Sequence, residues 1–476
     1  MRSLSQRGAR RRWWLPVSII ALLALAAAAC AGDDDAGTTP VAPPPAAVSD
    51  SGDTAEPSEP APPEPPPPPE PAGEPPAPPA EEPPPADEPP APPEPPPAPA
   101  ETEAPPEPAA PSGEPVVIGI LFSNSGPAGI FGQPTANITA FIEEDINAAG
   151  GINGRPVVTV LADDATDPSV GRQAMEQLID SDNVDVVLGT HSSATREAAK
   201  PLAEDADVLY IYAALYEGGE CSPVMFNTGE VPSQQLAPVI PWVMEQTGGQ
   251  TWFLLGNDYV WPRTSFDWAR QYIEAAGGEV VGEEYVPLGT QDFSSVAQQI
   301  AGSGADLIFP ALVGGDAIAF ETQAVDFGIG QDAIPRLANI YEENVLGAMG
   351  PAVTAGMFVT MGYFKEAENA ANTAFVSRYY EQFGADAPPH MTFSSHIYDA
   401  ALLYAAAANA AGSTDTAAVA AAMEGLSLST PTGDITITES RHLAQPIYVA
   451  EIQADGSQLI VESFASVHPD ETCDLP

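Results

Sequence analysis

The chain has 476 residues, of which 66 are acidic and only 15 are basic, and its formal net charge at pH 7 is −51. This balance argues against nucleic acid as a partner, because proteins bind phosphates through lysine and arginine. With five histidines and three cysteines in no recognisable metal-ligand pattern, we expect neither a metal nor another cofactor.

The first thirty residues are typical of an export signal. Five arginines precede an apolar run over 15–29, which ends in small residues directly before Cys30. The run is too short for a membrane-spanning helix, which needs about 20 residues, so we predict a signal peptide over 1–29. A cysteine at this point resembles the lipobox of bacterial lipoproteins and predicts lipid attachment at Cys30. The alternative is ordinary cleavage that leaves a thiol. In either case the rest of the chain faces outward, and the lipid would anchor it to the outer face of the cell membrane.

Residues 30–115 consist largely of proline, alanine and glutamate. Thirty-four prolines and 19 acidic residues lie between 31 and 115, without one basic residue. Proline removes backbone donors and the glutamates repel one another, so no core can form. We predict a disordered stalk that holds a folded domain away from the membrane.

From Val116 the pattern changes to an alternation of strands and helices. Apolar runs such as 116–122 are expected of strands buried on both faces of a parallel sheet. The first unit fits strands at 116–122, 157–162, 184–189 and 207–213. Its predicted helices lie at 168–180 and 194–204, and a further helix ends at Gly150–Gly151. The second fits helices at 233–246, 262–276, 293–301 and 315–327, with strands at 251–256, 280–286, 305–312 and 336–341. Two α/β units in tandem are therefore predicted.

The rest of the chain adds further elements of both kinds. A strand-like run at 356–364 precedes helices near 367–383, 395–411 and 415–424. Three β-like segments at 434–438, 446–452 and 458–464 follow.

Polar and aromatic residues recur where the predicted strands end. Ligands gather at the carboxyl ends of parallel strands, so these loops are candidate binding elements. Small hydroxyls and helix N-termini suit a carbonyl or carboxylate oxygen, and aromatic rings form walls for a small ligand. Taken singly, each serine could cap a helix and each ring could pack in a core. The candidates are Phe131, Ser192, Ser193, Tyr212, Tyr259, Trp261, Asp316 and Tyr341.

Catalytic motifs are missing from the sequence. The histidines show no HExxH pattern, and neither a GxSxG elbow nor a phosphate-binding Walker loop is present. We therefore expect that the protein is not an enzyme. If Cys30 carries lipid, Cys221 and Cys473 form an even pair in an oxidising compartment, which predicts a disulfide; the alternative is two unpaired thiols.

Five segments resemble the type I periplasmic binding proteins that serve ABC importers. They are AAGGINGRPV at 148–157, GTHSSATREAAKPLAE at 189–204, LYEGGECSPVMFNTGEVPSQQ at 215–235, GNDYVWPR at 256–263 and EEYVPLG at 283–289. The closest resemblance is to the urea and short-chain amide binders, with branched-chain amino-acid binders next.

The resemblance implies two Rossmann-like lobes that are joined by three crossing strands and close on a ligand like a clamshell. The first lobe would comprise 116–230 and 362–431, and the second 231–361 and 432–476. Ser193 matches the ligand serine of the amide branch, and Ser192 matches that of the amino-acid branch. Tyr212 matches a pocket tyrosine, and the remaining matches are the aromatic pair of the opposite lobe, Tyr259 and Trp261.

The expected function is that of a lipid-anchored receptor that delivers urea, a short amide or a small amino acid to the permease of an ABC importer. A sensor that signals ligand occupancy to a membrane regulator is the alternative, followed by a secreted amide-processing enzyme. An amino acid needs a carboxylate for its ammonium group, and Asp316 and Glu343 are the candidates for it. Urea needs only neutral donors and acceptors, and the sequence leaves this choice open.

Overall fold

The computed structural model describes residues 110–330, 333–473 and 475. The predicted signal peptide, Cys30 and the stalk up to residue 109 lie outside the described residues. Within the described ranges, every helix is too short or too polar to cross a membrane. The α/β fold predicted from the sequence is confirmed, with strands and helices that alternate along most of the chain.

A parallel five-stranded sheet forms the first part of the fold. Its strands are β1 (Val116–Phe122), β2 (Val157–Asp163), β3 (Val186–Thr190), β4 (Leu209–Tyr212) and β5 (Met225–Asn227), in the order β2-β1-β3-β4-β5. The helices of this part are α1 (Gly132–Ala148), α2 (Pro168–Asp180) and α3 (Ser193–Ala206). β1 and β3 lie in the interior of the sheet. Their residues are almost all apolar because both faces of these strands are covered. β5 was not predicted, since three residues are too few to show a period.

A second parallel sheet repeats this arrangement. It contains β6 (Thr251–Asn257), β7 (Glu279–Val286) and β8 (Leu307–Ala311) in the order β7-β6-β8. The helices around it are α4 (Pro232–Gln235), α5 (Val239–Thr247), α6 (Val260–Ala275), α7 (Ser294–Ser303), α8 (Gly315–Ala324), α9 (Glu343–Met349) and α10 (Pro351–Thr354). The single helix predicted over 233–246 was wrong. It is divided into α4 and α5 because Pro238, at the start of α5, has no N–H to continue the helical bonds.

A third group of strands connects the two sheets. It contains β9 (Leu337–Ala338), β10 (Phe358–Met361), β11 (Ser427–Thr430), β12 (Gly433–Ile437), β13 (Leu443–Ile452) and β14 (Gln458–Val467). The first residues of β13 pair with β12 and its last residues pair with β10 and β14. Since Asn227 bridges to His442 and Ile308 to Arg336, the group reaches β5 at one end and β8 at the other.

The last helices of the chain pack mainly against the first sheet. They are α11 (Ala370–Phe383), α12 (Thr392–Ala411) and α13 (Thr416–Met423). α12 and α1 share an apolar core with the face of the sheet that contains Ile118 and Ile120. Trp252 and Phe309 lie in a second core, which is formed around β6 and β8.

A disulfide joins Cys221 to Cys473, and the two Cα atoms are 5.1 Å apart. It ties the C-terminal segment to the loop that follows β4. The backbone N–H of Gly219 also donates to Glu471 of this segment, at 2.8 Å. The loop over 215–224 is therefore held at two points by residues that lie about 250 positions later in the chain.

Candidate ligand-binding site

A cavity lies where the carboxyl ends of strands from the two parallel sheets face each other. Its empty volume is about 500 Å³, which includes space open to solvent. Ligand pockets typically measure about 300–1,000 Å³, so the space suits a small molecule. The lining residues are Ser123, Ala128, Phe131, Thr166, Thr190, His191, Ser192, Ser193, Tyr212, Ala214, Leu215, Tyr259, Trp261, Leu288, Val313, Ile340 and Phe393.

Two sides of the cavity differ in chemistry. The side formed by the first sheet contributes the polar residues Ser123, Thr166, Thr190, His191, Ser192, Ser193 and Tyr212, here called the polar wall, together with the apolar residues Ala128, Phe131, Ala214 and Leu215. The opposite side, here called the apolar wall, is formed by Tyr259, Trp261, Leu288 and Val313 of the second sheet and by Ile340, which follows β9. The predicted ligand residues Phe131, Ser192, Ser193, Tyr212, Tyr259 and Trp261 are thus brought together around one space.

The start of α3 supplies the centre of the polar wall. Ser192 is the N-cap, and its Oγ accepts a hydrogen bond from the backbone N–H of Thr195 at 3.2 Å. The cap leaves other backbone N–H groups of the first turn without helical partners, at the positive end of the helix dipole. Ser192 therefore caps the helix and lines the cavity at the same time.

Ser193, the first residue of α3, is bonded to a buried ion pair. Its Oγ donates to Glu217 Oε2 at 2.6 Å, and Arg196 Nη2 donates to Glu217 Oε1 at 2.7 Å. The Arg196 side chain is only 2% exposed, and its guanidinium lies over the rings of Tyr212 and Tyr216, at 5.2 and 4.6 Å. A charge this deeply buried is stable only when it is paired, so the pair holds Glu217 in one position behind Ser193.

His191 is a neutral ring with both nitrogens occupied. Its Nδ1 lies 3.1 Å from the carbonyl oxygen of Ser192, which can only accept, so Nδ1 carries the hydrogen. Nε2 then accepts from the hydroxyl of Tyr210 at 2.7 Å. Burial lowers the pKa of His191 to about 4, against a smaller opposing effect of Asp164. Tyr212 donates to the His191 carbonyl oxygen at 2.5 Å.

The apolar wall depends on the start of α6. Tyr259 is the N-cap residue and Trp261 lies in the first turn, so the two rings project from the end of β6 into the cavity with centroids 6.1 Å apart. Trp261 is 2% exposed. Among the described residues no hydrogen-bond partner of the Tyr259 hydroxyl is found. Burial raises the pKa of Tyr259 well above its usual value, so the hydroxyl keeps its hydrogen and can donate to a ligand.

The prediction that Asp316 and Tyr341 belong to the ligand site does not agree with their positions, since neither lines the cavity. The Asp316 carboxylate accepts from Asn257 Nδ2 at 2.7 Å and from the backbone of Gly289 at 2.9 Å, so it organises loops of the second sheet. Tyr341 is fully buried beside Glu321, and burial raises the pKa of its hydroxyl.

Glu343, the other candidate partner of an ammonium group, also lies away from the cavity. One of its carboxylate oxygens accepts from the backbone N–H of Lys365 at 3.3 Å, and burial raises its pKa to about 7. The residues that line the cavity therefore include no acidic side chain.

Sequence reasoning did not single out several lining residues. Ser123, Thr190 and His191 stand in strand-end loops that the sequence marks as polar, so a signal for them existed. Leu288 follows β7 of the second sheet and Ile340 follows β9 of the third group, and both are ordinary apolar residues. Phe393 comes from the start of α12, where it packs edge-to-face on Phe131 at 5.0 Å. No local pattern distinguishes these last three from core residues.

Comparisons with known proteins show sequence similarity over most of the chain. A family model described as periplasmic binding protein matches residues 115–457. The chain is 26% identical over 348 residues to a Leu/Ile/Val-binding protein homolog of Brucella melitensis, covering 71% of this chain and 87% of that protein.

Solved structures have the same fold. A periplasmic binding protein from Burkholderia mallei is similar with a TM-score of 0.68 and 24% identity, over 74% of this chain and 95% of that one. A solute-binding protein of an ABC transporter from Rhodopseudomonas palustris, in complex with 3,4-dihydroxybenzoic acid, gives a TM-score of 0.67 and 24% identity, over 74% and 98%.

Proposed function

Because this chain belongs to the periplasmic binding protein family, we propose that it is the substrate-binding subunit of an ABC importer, working outside the cytoplasm. Its partners are then a small solute and the permease subunits in the membrane. The Rhodopseudomonas palustris neighbour, a solute-binding protein of an ABC transporter, supports this role. A permease whose ATPase activity rises with the ligand-loaded protein, and not with the empty protein, is the expected partner.

We propose that the domain has two lobes, divided as expected near 230/231 and 361/362 but with the third boundary inside β13 instead of at 431/432. The chain passes between the two parallel sheets near 230/231 and 361/362. β11 pairs with β12, and β13 reaches from β12 to β10, which favours a third crossing inside β13 rather than at 431/432. Closure of the lobes would bring the polar and apolar walls together over the ligand.

The ligand that fits best is a small neutral molecule with N–H groups, namely urea or a short amide. The observation that carries this proposal is that, within the part of the chain that the structure describes, no acidic side chain lines the cavity. An α-amino acid would bury its ammonium group without a carboxylate partner, which is costly. A primary amide or urea needs only hydroxyl acceptors and a donor for its carbonyl oxygen. Ser193, Tyr212 and Tyr259 can provide these.

A thermal-shift screen tests the ligand class. A ligand that binds only the folded state at 100 times its Kd adds about 2.7 kcal/mol of stability and raises the melting temperature. We expect a rise with urea or short amides, and none with leucine or 3,4-dihydroxybenzoate. Leucine is part of the name of the Brucella protein, and 3,4-dihydroxybenzoic acid is in complex with the Rhodopseudomonas protein. A rise with leucine alone would contradict the amide assignment and leave the receptor role in place.

We also propose that Cys30 is lipidated and anchors the protein through the proline-rich stalk to the outer face of the cell membrane. The support is the export signal that ends on this cysteine. Replacement of Cys30 by serine should abolish labelling by a radioactive fatty acid and release the protein from membranes. Unchanged membrane retention of Cys30→Ser would argue against the anchor.

A further inference from the structure

Several hydroxyl groups of the polar wall donate their only hydrogen away from the cavity. Ser193 donates to Glu217, and Tyr212 donates to the carbonyl oxygen of His191. The others are Ser123 Oγ to Asp164 Oδ1 at 2.7 Å and Thr166 Oγ1 to the carbonyl oxygen of Ser125 at 2.8 Å. A carbonyl oxygen or an ionised carboxylate has no hydrogen to give, so the direction of each bond follows from chemistry.

The strongest of these constraints acts on Ser193. Arg196, buried beneath Tyr212 and Tyr216, donates to the second oxygen of Glu217 at 2.7 Å, so the Glu217 side chain is held between Arg196 and Ser193. Arg196 Nε lies 3.5 Å from Glu220, which in turn pairs with Lys200 at 3.0 Å. Because Arg196 donates to one oxygen of Glu217, the other oxygen is directed at Ser193 as an acceptor.

Ser193 is left with lone pairs, and no hydrogen, to offer a ligand. Tyr212 likewise has no hydrogen to offer, because burial raises its pKa and its hydroxyl stays protonated and bonded to His191, with the side chains of Ser193 and Arg196 close to its oxygen. A ligand atom placed against these two oxygens must therefore carry a hydrogen. A carboxylate oxygen at the same position would set lone pair against lone pair in a buried site.

We propose that Glu217, which does not line the cavity, is a positioning residue that makes the site select an N–H donor over an isosteric carboxylate. This inference rests on the proposed function and names the feature that determines its ligand class. A primary amide and its acid have nearly the same size and shape, so packing against Trp261 or Phe131 cannot distinguish them. A site built for the hydrogens of one ligand can reject the analogue that lacks them by orders of magnitude.

The test compares the affinities of matched ligands, acetamide with acetate and benzamide with benzoate, by titration calorimetry on the full chain. We expect the wild-type protein to bind each amide at least about tenfold more tightly than its acid. In Glu217→Gln the side-chain amide can donate to Ser193, whose hydrogen then turns toward the cavity. The ratio of amide to acid affinity should fall by about tenfold or more.

Glu220→Gln is the matched control, because Glu220 belongs to the same charge cluster and has no bond to Ser193. It should keep the wild-type ratio. If Glu217→Gln does not fold, Glu217→Asp retains the charge for Arg196 and withdraws the carboxylate from Ser193, and the same fall is expected. In a Ser193→Ala background, changing Glu217 should have no further effect on the ratio.

The outcomes separate the two claims. A ratio that stays within about twofold of wild type in the folded Glu217 variant overturns the role of Glu217, although amide binding itself stands. A wild-type protein that binds the acids more tightly than the amides overturns both this inference and the amide assignment. A wild-type protein that binds neither series but binds leucine overturns the amide assignment and, with it, the role of Glu217 in selecting N–H donors.

Discussion

The two walls of the cavity are built on similar scaffolds and differ in what they offer a ligand. In each, a strand of a parallel sheet leads into a helix, β3 into α3 and β6 into α6, and the loop between them faces the cavity. The first loop brings Ser192 and Ser193, whose hydrogens are already committed to protein acceptors. The second brings Tyr259 and Trp261, which contribute aromatic surface and one uncommitted hydroxyl.

The difference indicates a division of tasks. Hydrogen-bond direction on the polar wall selects the ligand, because it depends on buried partners such as Glu217 that cannot reorient. Under the proposed function, the apolar wall would contribute area, and therefore affinity, when the lobes close over the ligand. The predictions below test this division, beginning with the largest expected loss of ligand affinity.

Trp261→Ala should produce the largest loss of affinity and should weaken amides and acids alike. Removal of a buried aromatic anchor costs on the order of 2 kcal/mol, or roughly 30-fold in Kd. Calorimetric titration with acetamide and acetate measures both the loss and its lack of selectivity. Since Trp261 is only 2% exposed, the melting temperature should also fall. Binding must therefore be measured at a temperature at which the variant is folded.

Trp268→Ala is the control, because Trp268 lies on the same helix and stacks on Tyr272, away from the cavity. It should leave Kd unchanged. Normal affinity in Trp261→Ala would show that the apolar wall does not contact the ligand.

Tyr212→Phe should cost about tenfold in amide affinity and less in acid affinity. The substitution removes an acceptor from the polar wall and leaves the carbonyl oxygen of His191 without its hydrogen bond. Tyr210→Phe is the matched control, since Tyr210 bonds to the other side of His191 and does not line the cavity. Equal losses in the two variants would mean that Tyr212 acts only through the position of His191.

The double replacement Cys221→Ser with Cys473→Ser should reduce stability far more than affinity. Loss of a disulfide that closes a long loop typically costs 2–5 kcal/mol of unfolding free energy. Glu217 lies on the tethered loop, but Arg196 holds it directly, so amide affinity should change by less than about threefold. Thermal melting and calorimetry on the same sample give both values. A selective loss of amide affinity would mean that the disulfide positions Glu217.

The smallest effect is expected from pH. His191 lines the cavity with a pKa lowered to about 4 by burial, so it should remain neutral from about pH 6 to 8 and amide affinity should vary by less than about twofold. A clear change of Kd across this range would indicate that a titrating group contacts the ligand.

Stability should nevertheless depend on pH. Burial lowers the pKa of His191 and His442 to about 4 and that of His390 to about 3. Between these values and 6.5 the unfolded chain binds protons that the folded chain does not. Stability is therefore lost as pH falls from about 6.5 toward 4, by up to about 1.4 kcal/mol per pH unit for each histidine. Burial raises the pKa of Glu343 to about 7, so above pH 4.5 this group makes the folded chain more stable as the pH falls. Glu343→Gln should therefore steepen the loss of stability in acid.

The amino-acid sequence by itself determined the α/β alternation and the position of most strand ends. Strands covered on both faces must be apolar throughout, so runs such as 116–122 can be recognised without any knowledge of their partners. Polar loops after such runs point to a ligand edge for the same reason. The strand β5 was missed because three residues are too few to show a hydrophobic period. The break at Pro238 between α4 and α5 was missed because the residues on both sides of it follow a helical pattern.

Only the tertiary structure decided which way the side chains at these strand ends point. Asp316 follows a strand in the same manner as Ser193 does, yet it turns to Asn257 and Gly289 while Ser193 faces the cavity. The direction of the Ser193 hydrogen depends on Glu217 and, through it, on Arg196. Such contacts join residues from separate segments, and their geometry is set by the packing of whole elements. A one-dimensional pattern contains the residue types that a site needs, while the direction of each hydrogen bond arises only when distant segments meet.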